Sequence, residues 1–159
     1  EARFSVTIYE RNPAPARKFL VAGDGGLNLT HAEPMERFIT RYTPASFLQP
    51  ALLAFTNRHL QAWLQSLGIE TRTGSSNKIY PLPGIKPIAV LNAILAHLTQ
   101  KNVHIKTRHE WVGWNPQGDL LFRHEGDTLT VASDITVFAL GGASWSITGS
   151  TAQWTTFFE

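Results

Sequence analysis

Cysteine is absent, and methionine occurs once, at Met35. Without a thiol the chain has no disulfide framework, thiolate metal site, iron–sulfur cluster or dithiol couple, so any redox chemistry must come from a bound cofactor. Long apolar runs are also lacking. The best candidate, Ile88 to Leu98, is interrupted by Asn92 and His97 and falls short of the roughly 18–20 residues that span a bilayer. The opening residues Glu1-Ala2-Arg3-Phe4 form neither a basic leader nor an apolar signal core, so no signal peptide is expected. Charge of one sign is scarce too: 14 Lys and Arg face 12 Asp and Glu. With the cations scattered and no RNA-binding motif present, nucleic acid is not an expected partner, although the small positive excess leaves the question open.

Several catalytic templates fail on inspection. No G-x-x-x-x-G-K-[ST] segment exists to cradle a triphosphate. Gly142-Ala143-Ser144-Trp145-Ser146 lacks the last glycine of a nucleophile elbow. His31, His59, His97, His104, His109 and His124 show no H-E-x-x-H or comparable spacing, so they read as surface or strand residues and no metal is expected.

What is present is material for one globular domain: 159 residues, 43% hydrophobic and 16% charged. Phe4 to Tyr9 alternates apolar and polar side chains and ends on Glu10, which predicts a strand. Pro13 and Pro15 stop it, and Lys18 to Thr30, with Gly23, Gly25 and Gly26, reads as an ordered loop. Thr30-His31-Ala32-Glu33 has the spacing of a capping box, although Pro34 makes a slightly later helix start equally compatible. Helices are predicted over Ser46 to Phe55 and after an N-cap at Thr56, and these two are expected to pack together. Pro87 opens the clearest amphipathic helix, with Val90, Leu91, Ile94, Leu95 and Leu98 on one face. Ile69 to Thr71 and Val103 to Thr107 read as short strands, and Gly74-Ser75-Ser76-Asn77 marks a turn before Lys78 to Pro81. Glu110 to Trp114, Asp119 to Arg123 and Thr128 to Val131 form a β-meander. Ile135 to Leu140 reads as a buried strand of a parallel sheet that ends on Gly141-Gly142.

Two features bear on chemistry directly. Glu10, at the end of a strand, suits hydrogen bonding to the vicinal hydroxyls of a ribose, or is a plain surface glutamate. Gly23-Asp24-Gly25-Gly26 followed by Asn28 can offer backbone N–H groups to a pyrophosphate, or is a glycine-rich connector in which Asp24 disfavours an anion. The tryptophans, Trp63, Trp111 and Trp114 among them, read mainly as core residues.

Taken in order, Val6 to Pro13 and then Arg17 to His31 resemble the second strand and following loop of the HI0933-like (YhiN/BaiN-like) flavoproteins. Asn77-Lys78-Ile79-Tyr80-Pro81, the helix after Lys86, the meander and Phe138 to Trp145 fall in that family's order, so the resemblance runs from Val6 to about residue 150. It implies an α/β, Rossmann-like FAD-binding domain with a parallel sheet and a β-meander, whose first strand and G-x-G-x-x-G turn are expected to precede Glu1. The domain would occupy 1–150, with a helical excursion over about 32–85, and 151–159 would start a further segment.

By position, the resemblance assigns Glu10 to the adenosine ribose, and Arg17, Lys18, Gly23, Gly25, Gly26 and Asn28 to the phosphates and flavin. Trp111 would lie near adenine, Gly141 and Gly142 would let the backbone approach the cofactor, and Lys78 and Lys86 are weaker candidates on the flavin or substrate side. Gly26-Leu27 stands where many members have Arg-Cys, and Asp24 replaces a glycine or a basic residue.

The implied function is that of a cytoplasmic FAD-dependent oxidoreductase exchanging a hydride with an unsaturated small-molecule substrate, with NAD(P)H a candidate electron donor and no membrane partner. No catalytic acid or base is assigned. The alternative is a non-catalytic nucleotide-binding or interaction module. An incomplete domain is expected to be inactive alone, to hold FAD substoichiometrically and to self-associate.

Overall fold

The computed structural model describes residues 4–22, 26–142 and 151–159. In chain order the elements are β1 (Thr7–Tyr9), α1 (Arg17–Ala22), β2 (Thr30–His31), α2 (Met35–Ile39), α3 (Ala45–Ala54), α4 (Asn57–Ser66) and β3 (Thr71–Thr73). There follow β4 (Lys78–Pro81), α5 (Pro87–Gln100), β5 (His104–Lys106), β6 (Glu110–Trp114), β7 (Leu120–His124), β8 (Asp127–Val131) and a 3-10 turn, Gln153–Phe157. Two compact units result: Glu1–Lys18 with Asn102–Glu159, and Phe19–Lys101. The architecture is mixed α/β, with one parallel strand pair and two antiparallel sheets. Among the described residues no helix is long and apolar enough to cross a membrane.

In the first unit β1 lies parallel to β5, Thr7 opposite His104 and Tyr9 opposite Lys106. Parallel strands need a long crossover, and the chain between these two passes through the whole second unit. The meander β6-β7-β8 forms as predicted. Asn115 Oδ1 shapes its first turn, accepting from the backbone N–H of Gln117 (3.0 Å) and Asp119 (2.8 Å). At the second turn Glu125 and Gly126 both adopt positive φ, the two-residue hairpin geometry that matches strand twist. Leu120 and Phe122 alternate inward, and the Phe122 ring stacks on Tyr9 at 4.1 Å.

The second unit is built on Leu27, Leu64, Ile69 and Val90, with Phe19, Trp63 and Ile94 packed around them. Thr56 caps α4: its Oγ1 accepts from His59 N–H at 3.2 Å, and His59 Nδ1 accepts from Thr56 N–H at 3.3 Å, so an imidazole completes the capping box. Buried Asn57 donates from Nδ2 to the carbonyls of His31 (2.7 Å) and Glu33 (3.0 Å). Buried Glu33 forms a two-pronged ion pair with Arg41, through Nε to Oε1 and through Nη2 to Oε2 at 2.8 Å.

Four expectations need correction. Arg17–Ala22 is helix, not loop. It consists largely of good helix formers, with no Gly or Pro to break it, and Phe19 packs on the core. The capping box at Thr30 does not form, and the later helix start does: Thr30–His31 is a strand on β4, its ladder extended by Leu29 N–H to Ile79 O (2.8 Å) and Ala32 N–H to Asn77 O (2.7 Å), and α2 starts at Met35 after Pro34. The main neighbour of α3 is α2 rather than α4. No residue of α3 is buried, because its apolar residues run all round and give no single face to orient it. Lastly, residues 135–140 form no strand. They pair with neither β1 nor β5, and Ile135 and Val137 are exposed. An apolar run becomes a strand only through a ladder to a neighbour.

Candidate functional site

The first unit carries a cleft of about 770 Å³ at the end of β1. Open α/β sheets bind ligands beyond the carboxyl ends of their parallel strands, and the cleft's volume falls within the roughly 300–1,000 Å³ range of small-molecule sites. Glu10 is the residue at that strand end. Its N–H donates to Lys106 O (2.9 Å) and its carbonyl accepts from His109 N–H (3.0 Å), which joins β1 to both ends of the β5–β6 connection. Its Oε1 accepts from the backbone N–H and the Nδ2 of Asn12, each at 2.7 Å. The side chain is therefore aimed by the turn that follows it, and Oε2 makes no bond among the described residues.

Five of the residues singled out by resemblance line this cleft: Glu10, Arg17, Lys18, Trp111 and Gly141. Arg17 and Lys18 bring two cations to it at the start of α1. Trp111 stands in an aromatic group, its ring centroid 4.7 Å from Phe138, 4.8 Å from Trp114 and 4.9 Å from Phe157. Its Nε1 is buried and, alone among buried side-chain polar atoms of the described residues, lacks a hydrogen-bond partner. Gly141 adopts φ +77°, and its carbonyl accepts from Trp154 Nε1 at 3.0 Å.

The other assigned residues lie elsewhere. Gly142 follows Gly141 but is not part of the lining, and a Cβ built on it meets no described atom within 4 Å. Gly26 and Asn28 belong to the second unit. Gly26, at φ +121°, faces the Tyr80 ring, and Leu27, which replaces the family's cysteine, is a buried core residue. Gly23 and Gly25, with Asp24, lie outside the described residues. Lys78 sits on β4 opposite His31, and Lys86 precedes α5.

His109 is the lining residue that motif reasoning missed. It is buried, not a surface or strand histidine, and its ring stacks on His124 at 4.0 Å. The only local signal was its place two residues before Trp111. The Tyr9 ring, which carries Lys106 Nζ over its face at 5.6 Å, also lines the cleft.

No curated protein matches the chain. The family model of the HI0933-like protein Rossmann domain matches residues 1–159. The chain therefore belongs to the HI0933-like family as its Rossmann domain.

Proposed function

We propose that this domain binds FAD in the cleft of its first unit and serves a flavoprotein oxidoreductase acting on an unsaturated organic small molecule. Family membership suggests the class. The observation that carries the reading is Glu10: a carboxylate at the carboxyl end of a parallel strand, held through Oε1 by Asn12 and facing a cleft of adequate size. In this reading Glu10 accepts hydrogen bonds from the ribose hydroxyls, while Arg17 and Lys18 offset the charge of the pyrophosphate. Gly141, without a side chain, lets the backbone come close to the cofactor, and Gly142, outside the lining, is assigned the same role by resemblance alone. Trp111 borders the adenine end. A buried donor left unmatched costs about 1–3 kcal/mol, and Trp111 Nε1 is such a donor in the residue that borders the adenine end. Gly23, Gly25, Gly26 and Asn28 are assigned to the phosphates and flavin by resemblance alone.

FAD, when bound, supplies the hydride chemistry, and the protein's share is binding, orientation and electrostatics. NAD(P)H is the proposed reductant and the cytoplasm the proposed location. The absorbance spectrum of the purified full-length protein tests the reading. Flavin bands that persist through gel filtration, or return after FAD is added to stripped protein, are expected. A folded protein that stays colourless with excess FAD refutes it in favour of a non-catalytic nucleotide-binding module.

A further inference from the structure

His109 is placed and constrained in a way that the cleft's other residues do not explain. Its backbone N–H bonds to the carbonyl of Glu10 at 3.0 Å, so it starts beside the residue at the strand end. Its ring is stacked on His124 at 4.0 Å and tilted against Tyr9 at 5.6 Å. Nδ1 lies 2.7 Å from Thr107 O. A carbonyl can only accept, so Nδ1 carries the proton and, in the neutral ring, Nε2 is a bare acceptor. His124 is fixed alike, its Nδ1 donating to Arg108 O at 3.1 Å, so neither ring of the stack is free to turn. His109 Nε2 has no partner among the described residues. It is not sealed either, since Trp111 Nε1 is the only buried side-chain polar atom there without a partner. His109 thus presents an oriented, accessible acceptor in the wall of the cleft.

An acceptor fixed in this way selects a ligand that brings an N–H donor. We infer that His109 recognises the exocyclic amine of adenine and so selects an adenine dinucleotide, an inference that rests on the cofactor reading above. In that reading Glu10 holds the adenosine ribose and Trp111 borders the base, and His109 lies between them in sequence with its side chain in the same cleft. Hypoxanthine and guanine carry a carbonyl oxygen where adenine has its amine, which would set one acceptor against another. Discrimination at a site built for a hydrogen bond comes from leaving its polar groups unpaired.

The test compares FAD with its hypoxanthine analogue, identical in flavin, ribitol, pyrophosphate and ribose, by titrating stripped full-length protein. The wild type is expected to favour FAD about tenfold, the scale of one lost hydrogen bond. His109→Phe keeps a ring for the stack on His124 but has no Nε2, and should bind both dinucleotides equally. His109→Gln, whose amide can accept from the amine or turn to donate to the carbonyl, should bind both dinucleotides more tightly than His109→Phe without restoring the preference, which a merely structural role would not do. Equal binding of the two by the wild type, or an undiminished preference in His109→Phe, overturns the inference while leaving the cofactor reading standing. Failure of the wild type to bind either dinucleotide refutes the cofactor reading, and this inference with it.

Discussion

Replacing Glu10 by Ala separates the two jobs its carboxylate does. One is local: Oε1 accepts from Asn12 N–H and Nδ2, each at 2.7 Å. Glu10 and Asn12 are only half-buried, so water can take over part of these bonds. The loss should stay near the usual net value of about 0.5–1.5 kcal/mol, roughly 2–4 °C in Tm per kcal/mol at this size. The other job is binding. Hydrogen bonds from sugar hydroxyls to a carboxylate should contribute about 1–3 kcal/mol, so Glu10→Ala should raise the Kd for FAD about five- to hundredfold. Glu10→Gln keeps the shape and an acceptor for Asn12 but not the charge, and should fall between wild type and Glu10→Ala. Glu110, which lines the same cleft but pairs with Arg123 at 3.2 Å, serves as a control whose Gln variant should change little. Flavin fluorescence on titrating stripped full-length protein measures Kd, and thermal melts of the same samples report the local cost. An unchanged Kd in Glu10→Ala removes the residue from the site. A Kd that rises as much in Glu110→Gln shows that the loss is not specific to the strand-end carboxylate.

Two further outcomes concern the second unit. The Glu33 carboxyl is held below its ordinary value of 4.5, chiefly by the hydrogen bond from Arg41, with burial opposing and the charges of Arg41, His31 and Arg37 assisting. A lowered folded-state value favours the ionised form, so the contribution is complete above the unfolded-state value and is lost as pH falls through the folded one. Tm should therefore decline on acidification below about 4.5, and Glu33→Gln should lower Tm at neutral pH while flattening that decline; an acid slope equal to wild type refutes the assignment. Gly26 combines φ +121° with a Tyr80 ring atom 3.3 Å from where a Cβ would stand. Gly26→Ala should cost about 1–2 kcal/mol in a denaturant titration, and a cost within error of zero shows that the loop relaxes freely.

Much of the fold was legible where the signal is local. Pro87 at a helix start with Val90 and Leu91 on one face, Thr56 as a cap, and the Asn115–Gly118 and Glu125–Gly126 turns act within a few residues, and the corresponding elements formed as expected. The strand that ends before Glu10 was readable from its alternation, and the run of residues around it identified the family. Tertiary structure decided whatever depends on a distant partner. Thr30 and Glu33 have the spacing of a cap, yet β4 claimed Thr30 for a sheet, and Glu33 went to Arg41 and to a carbonyl bond with Asn57. The apolar run 135–140 meets the composition of a buried strand but has no ladder partner in the described chain. His109 carries no motif; its burial, its tautomer and its place beside Glu10 come from Thr107, His124 and Tyr9. Hydrogen-bond and stacking partners far apart in sequence are chosen by the folded backbone, which short-range periodicity cannot encode.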